Sequence, residues 1–184
     1  SSFVNQVLDE KVPPEKVVRD PVTAILEYPS IANDKIPLPR AIYGKARTNS
    51  SGINFPNPAT LADFDKARSE FKTYKWRAVP RIDDKEIEGK LRKVKNPALF
   101  SDIVGECSDA TEKDVAKAIA VAVSGVQGWR QVPADERATV LERIADLYES
   151  HRVELMGLLS REAGKSLMDG IAEVREAANF CRYY

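Results

Sequence analysis

The sequence is poor in the residues that most often build metal and redox sites. Its 184 residues include two cysteines, Cys107 and Cys181, and one histidine, His151. The cysteines lie far apart and form no Cys-x-x-Cys pair, so neither a redox pair nor a zinc site is indicated. His151 has no second histidine or nearby cysteine with which to share a metal, and we expect it to be a partly exposed structural residue. A reducing, cytoplasmic environment is the corresponding inference.

Charge imbalance and long apolar runs are also absent. The 28 lysines and arginines are balanced by 28 aspartates and glutamates, which excludes the basic surface of a nucleic-acid-binding domain. No apolar run approaches the roughly 18 residues of a transmembrane helix. The first residues, SSFVNQVLDEKVPPEKVV, do not have the pattern of a secretory signal. Because they begin with serine rather than an initiator methionine, we expect a processed or excised segment.

The tripeptide Gly164-Lys165-Ser166 resembles the end of a phosphate-binding loop, but the rest of the motif is missing. A GxxxxGK[ST] loop needs an earlier glycine, on a turn between a strand and a helix. That position holds Leu159, within residues of helical apolar spacing. Gly164 is therefore predicted to end one helix in a left-handed conformation, and Lys165 and Ser166 to lead into the next helix.

Proline is concentrated at the start of the chain, where eight of the eleven prolines lie within the first 60 residues. Residues 29–60 show no sustained helical or strand period, and proline disfavours helix at and before its own position. Their apolar residues are too many for a free linker. This pattern predicts an ordered proline-rich arm, which together with the helix after it covers 29–75. One or two short helices are expected before the arm.

The remainder of the chain changes from strand to helix patterns. Short alternating segments separated by turn residues predict a small antiparallel strand pair. From residue 109 helical spacing continues to the end, which predicts three helices, or four if the break near Ser150-His151 is sharp. Thr111 is predicted to cap the first of these helices. The buried stripe of the second is predicted to consist of Val140, Ile144 and Leu147.

The order of these elements resembles the N-terminal part of an aldehyde dehydrogenase. The resemblance covers 94–184, and it rests on the matching order and spacing of Asn96-Pro97, Glu162-x-Gly164-Lys165, Glu173-Val174 and Arg182-Tyr183-Tyr184. It implies an α/β fold that is mostly helical here. The strand pair and the helices would then belong to an NAD-binding, Rossmann-like domain that begins near residue 76.

The upstream half is similar to the joining segment of a family of bifunctional bacterial enzymes. The similarity rests on SSFVNQVLDEKVPPEKVVRDPV and KIPLPRAIYGKARTNSSG. These enzymes fuse an FAD-dependent proline dehydrogenase to an NAD-dependent L-glutamate γ-semialdehyde dehydrogenase. The resemblance implies the end of the first enzyme at 1–28, the linker arm at 29–75 and the start of the second at 76–184.

The same resemblance implies a role in the oxidation of proline to glutamate. The small-molecule substrates would be proline and glutamate semialdehyde, and a homo-oligomer is expected. The complete enzyme would lie in the cytoplasm or at the inner membrane face. The family's proline-binding residues lie upstream of residue 1, and its glycine-rich turn, base and nucleophilic cysteine lie downstream of residue 184. No catalytic residue is therefore expected in the chain, which alone should be inactive and bind neither FAD nor NAD tightly.

Two residues match functional positions of these enzymes. Phe3 corresponds to a phenylalanine near the flavin adenine, and an aromatic face offers stacking area to a purine. Glu173 corresponds to a helix carboxylate that faces the substrate passage, where it would hold the substrate ammonium by a charged hydrogen bond. The alternatives are a core or unordered Phe3, and a solvated face formed by Glu173 and Glu176. For the whole chain, the alternative is a non-enzymatic helical scaffold or partner-binding module.

Overall fold

The computed structural model describes residues 7–30, 33 and 35–184. The chain divides between Leu38 and Pro39 into two compact units. This boundary falls within the predicted arm at 29–75. The described part of the first unit includes the short helices α1, Pro14–Val17, and α2, Pro21–Leu26. Asp20 caps α2 by accepting a hydrogen bond from the backbone N–H of Thr23 at 2.8 Å, which satisfies a donor that the helix itself leaves unpaired.

The second unit, Pro39–Tyr184, is mostly helical, as the sequence predicts. Its elements follow in the order 3-10 turn Pro39–Ala41, α3 Pro58–Ala67, 3-10 turn Arg68–Lys72, β1 Trp76–Ala78, β2 Arg81–Ile82, β3 Lys85–Glu86, β4 Arg92–Asn96, β5 Leu99–Cys107, α4 Glu112–Gln131, α5 Ala134–Ser150, α6 Arg152–Ala163 and α7 Leu167–Tyr183. The strands therefore stand between α3 and a continuous run of four helices.

The predicted antiparallel strand pair is confirmed as β4 and β5, and the sheet holds a third strand, β1, that the predicted pair did not include. The sheet order is β1-β5-β4, and β1 pairs with β5 in parallel, with Trp76 opposite Gly105. Between β1 and β5 the chain passes through β2, β3 and β4. This connection is long enough for β5 to run in the same direction as β1. The small hairpin β2-β3 forms a separate pair.

The four C-terminal helices begin and end at the predicted signals. Thr111 and Asp114 form a capping box at the start of α4. The break between α5 and α6 falls at His151, whose backbone leaves the helical region with φ −97° and ψ 13°. Gly164 ends α6 with φ 67° and ψ 22°, the left-handed conformation that glycine adopts without a Cβ penalty.

The hydrophobic core joins the arm to the helices. Phe55 of the arm and Phe64 of α3 contact each other edge to face, with ring centroids 5.1 Å apart. Met156 of α6 and Ile171 and Val174 of α7 complete the buried cluster. The end of the arm is thus packed into the core.

The predicted buried stripe of α5 is wrong for this chain. Val140, Ile144 and Leu147 are 47%, 37% and 48% exposed, whereas Ala145 is fully buried. The face that packs on α7 is rotated by one residue from the predicted stripe, because packing partners and not periodicity alone select the buried face. Several apolar side chains of α4 are also exposed, namely Val115, Ile119, Val123 and Val126.

Across the described residues, every helix falls short of the length or apolar content that membrane crossing requires.

A buried arginine connects α6 to the sheet. The Arg161 guanidinium binds both carboxylate oxygens of Asp102 on β5, at 2.7 and 3.0 Å. It also donates to the backbone carbonyls of Phe71 and Tyr74, at 2.9 and 2.6 Å. The hydrogen bonds from Arg161 are the main reason that the pKa of Asp102 lies well below its usual range. This cluster fixes the sheet to the helices.

Candidate functional site

The turn between α6 and α7 is built by the Gly164-Lys165-Ser166 tripeptide. The backbone N–H of Lys165 donates to the carbonyl of Leu159 at 3.3 Å, which closes the end of α6. The Ser166 side chain then caps α7 by accepting from the backbone N–H of Asp169 at 3.2 Å. The tripeptide is therefore a helix stop followed by a helix start, as the sequence predicts.

Glu173 lies on α7, between residues that anchor the helix in the core. Ile171 and Val174 are 5% and 3% exposed, so the backbone at this point of the helix is held in place. The Glu173 side chain itself is 46% exposed. A carboxylate on a fixed backbone with solvent access is suited to binding a cation.

The Glu173 carboxylate already has one cationic partner within the chain. The ammonium Nζ of Lys165 donates to Oε1 of Glu173 at 2.5 Å. This hydrogen bond is the main cause that raises the pKa of Lys165 above its ordinary value, and the slight burial of the ammonium acts in the opposite direction. Lys165 is therefore positively charged at neutral pH. The sequence predicts Lys165 only as a turn residue and gives no sign of this ion pair.

The arm is anchored to α5 and α7 through Ser50, which is 1% exposed. The Ser50 backbone N–H donates to Oδ1 of Asn179 at 2.8 Å, and its hydroxyl donates to Oε1 of Glu149 at 2.8 Å. Its carbonyl accepts from Nε of Arg175 at 3.3 Å. Every polar group of Ser50 is thus satisfied by a side chain of the helices. No local pattern could have revealed these partners, because they lie 99 to 129 residues away.

Glu149 also joins the two helices. Nη2 of Arg182 on α7 donates to Oε2 of Glu149 at 2.5 Å and to Oδ1 of Asp146 at 2.8 Å. The Arg182 and Glu149 side chains are only 7% and 16% exposed. Burial by itself raises the pKa of the Glu149 carboxyl, but hydrogen bonds from Arg182 and Ser50 outweigh it, so that the pKa lies below the usual range.

The other candidate residues are not joined to this region by any described contact. Phe3 lies outside the described residues. Cys107 and Cys181 are free and partly exposed, on β5 and α7. Within 7–30, 33 and 35–184, no group of histidine, cysteine or acidic residues could hold a metal ion. The local chemistry is therefore that of ion pairs and hydrogen bonds centred on Glu173 and on the Ser50 anchor.

The fold and the positions of these motifs agree with a comparison against known families. A model of the aldehyde dehydrogenase family matches residues 83–184, more than half of the chain. The chain belongs to the aldehyde dehydrogenase family. The match begins at the β2-β3 hairpin and includes all four C-terminal helices and Glu173.

Individual relatives extend the similarity through the arm. Bifunctional protein PutA of Klebsiella aerogenes is 40% identical over 190 residues, covering 100% of this chain and 14% of that protein. 1-Pyrroline-5-carboxylate dehydrogenase 2 of Bacillus subtilis is 31% identical over 134 residues, covering 71% of this chain and 26% of that protein. The crystal structure of proline utilization A from Bdellovibrio bacteriovorus matches with a TM-score of 0.74 at 24% identity, covering 100% of this chain and 19% of that chain. The chain thus spans about one seventh of the length of the first of these relatives.

Proposed function

We propose that this chain is a section of a bifunctional proline-catabolic enzyme that oxidises proline to glutamate. The intermediates are pyrroline-5-carboxylate and glutamate semialdehyde, and the complete enzyme uses FAD in the first step and NAD in the second. The observation that carries this proposal is the 40% identity to a bifunctional PutA protein over the whole chain, including the arm that precedes the family match.

Glu173 is proposed to bind the ammonium group of glutamate semialdehyde. Support comes from the fixed backbone of α7, the solvent access of the carboxylate and its match to the family position. Lys165 contacts one carboxylate oxygen, Oε1, and the other oxygen remains an acceptor for a second cation. Phe3 is proposed, from the resemblance alone, to lie near the flavin adenine.

The chain contributes binding and framework rather than catalysis. We expect it to show no turnover alone and to bind neither FAD nor NAD tightly, because the family's catalytic and glycine-rich segments have no counterpart in its sequence. The complete enzyme is expected to be a homo-oligomer.

A partner-binding helical module is the second candidate function. The exposed apolar side chains of α4 favour it, since a continuous apolar helix face is commonly covered by another protein surface. In that case no change in Glu173 would affect an aldehyde oxidation.

The test compares two aldehydes in the complete enzyme. One is glutamate γ-semialdehyde, and the other is 5-oxopentanoate, which keeps the carboxylate and the aldehyde and lacks only the ammonium. Glu173→Ala should raise the KM for the semialdehyde on the order of tenfold, because a charged hydrogen bond contributes roughly 1.5–3 kcal/mol and partial exposure favours the lower end. The KM for 5-oxopentanoate should change little.

The matched control is Glu176→Ala, three residues further along α7. Glu176 is exposed and is the weakest of the three carboxylates that attract Lys165, so this variant removes a negative charge from the same helix while it leaves the Glu173 carboxylate in place. Equal losses for both aldehydes in Glu173→Ala would exclude the ammonium-binding role.

A further inference from the structure

Lys165 is held beside Glu173 by the way in which α6 ends. The left-handed Gly164 reverses the chain, and the Lys165 backbone is tied to Leu159. The side chain is left free to extend along α7, where its ammonium contacts Glu173. Lys165 is 35% exposed in this arrangement, so the ammonium can leave the carboxylate without disturbing the core.

The ammonium of Lys165 and the ammonium of a ligand carry the same charge and seek the same acceptor. At contact distances two like charges repel each other even when water partly screens them. Asp169 and Glu176 also lie close enough to attract Lys165. Lys165 therefore has alternative carboxylates to approach when another cation occupies Glu173.

We propose that Lys165 is an internal counter-ion of Glu173, which an ammonium-bearing substrate displaces in order to bind. This inference rests on the proposed ammonium-binding role of Glu173. Lys165 then acts as a specificity-determining residue, because it weakens the binding of every ligand that competes for this carboxylate. Ligands without an ammonium do not compete with it.

The experiment removes the competitor in the complete enzyme. Lys165→Met keeps much of the apolar length of the side chain and removes its charge. The KM for glutamate γ-semialdehyde should fall about two- to fivefold, the size expected for release of a partly exposed ion pair. The kcat and the KM for 5-oxopentanoate should remain unchanged, which a general structural effect of the substitution would not produce.

Two controls separate charge from structure. Lys165→Arg keeps the charge and should keep the wild-type KM. Lys90→Met removes an exposed lysine that forms no ion pair within the described residues, and it should leave both KM values unchanged. The double variant Lys165→Met/Glu173→Ala should behave as Glu173→Ala, because the lysine has no effect once its carboxylate is gone.

The outcomes for the two residues can be distinguished. If Glu173→Ala selectively raises the KM for the semialdehyde while Lys165→Met leaves it unchanged or raises it, the counter-ion role is wrong and the ammonium-binding role stands. If Glu173→Ala affects both aldehydes equally, both roles are wrong. A selective fall in KM in Lys165→Met that disappears in the double variant supports both.

Discussion

Replacing Glu149 by glutamine should destabilise the chain by removing one charge from a nearly buried ion pair. The glutamine amide oxygen can still accept the Ser50 hydroxyl, so the main loss is the charged hydrogen bond from Arg182. Arg182 then keeps only Asp146, whose side chain is 73% exposed. A hydrogen bond to a charged group contributes about 1.5–3 kcal/mol, and the low exposure of Glu149 and Arg182 favours a loss of about 2 kcal/mol in the free energy of unfolding at pH 7.

The same pair predicts how this loss depends on pH. Because the folded pKa of Glu149 is lowered, its ionic contribution is complete above the unfolded pKa of about 4.3 and is lost as the pH falls through the folded pKa. Glutamine carries no charge at any pH. The difference in unfolding free energy between the wild type and Glu149→Gln should therefore be full at pH 7 and shrink as the pH falls below about 4.

Urea denaturation from pH 7 to pH 3.5 measures this difference directly. The matched control is Glu142→Gln on the same helix, where the exposed Glu142 forms no hydrogen bond or ion pair with a described residue; it should change stability by less than about 0.5 kcal/mol. Hydrogen exchange at the Ser50 amide reports on the arm itself. A loss that is the same at every pH, or one no larger than that of Glu142→Gln, would refute the assigned role of the Glu149 charge.

Four further predictions concern the framework and the activity. Arg161→Met should lower the Tm on the order of 10 °C, because it removes two of the hydrogen bonds to the Asp102 carboxylate and those to the carbonyls of Phe71 and Tyr74. Gly105→Ala should disrupt the β1-β5 pairing detected by backbone chemical shifts, since an added Cβ would lie 2.1 Å from the Trp76 carbonyl oxygen. Thr111→Val should cost about 1 kcal/mol in a denaturation curve through loss of the α4 cap. The isolated chain should reduce no NAD with the semialdehyde and no dye with proline. Turnover in a clean preparation would contradict the proposal that the catalytic residues lie outside this chain.

The features that could be predicted from the sequence are those encoded over a few residues. A capping box needs only Thr111 and Asp114, and a helix stop needs only Gly164, so the C-terminal helices follow from local signals. The direction of β1 does not follow in this way. Alternation shows that a segment is a strand, but whether it pairs in parallel depends on the path of the chain between 78 and 99, which no local pattern describes.

The arm shows the same limit at longer range. Its apolar residues indicate contact with some surface; Phe55 is in the core, whereas Ile42 and Tyr43 are 48% and 43% exposed. The polar anchor at Ser50 could not be predicted, because a serine in a proline-rich segment is equally typical of a turn. Only the packing of α5 against α7 brings Glu149 and Asn179 to the same side chain.

The contact between Lys165 and Glu173 depends on local and long-range structure together. Lys165 and Glu173 are eight residues apart, which along a helix corresponds to about 12 Å. Side chains on adjacent turns of one helix could not touch over that distance. Side chains on a helix tilt toward its N-terminus, so Glu173 leans back toward the start of α7. Lys165 stands just before that start, because Gly164 ends the preceding helix there, and its long side chain covers the remaining distance. The residue that stops α6 therefore also determines which cation the carboxylate meets, and a change at Gly164 should alter ligand selectivity as well as stability.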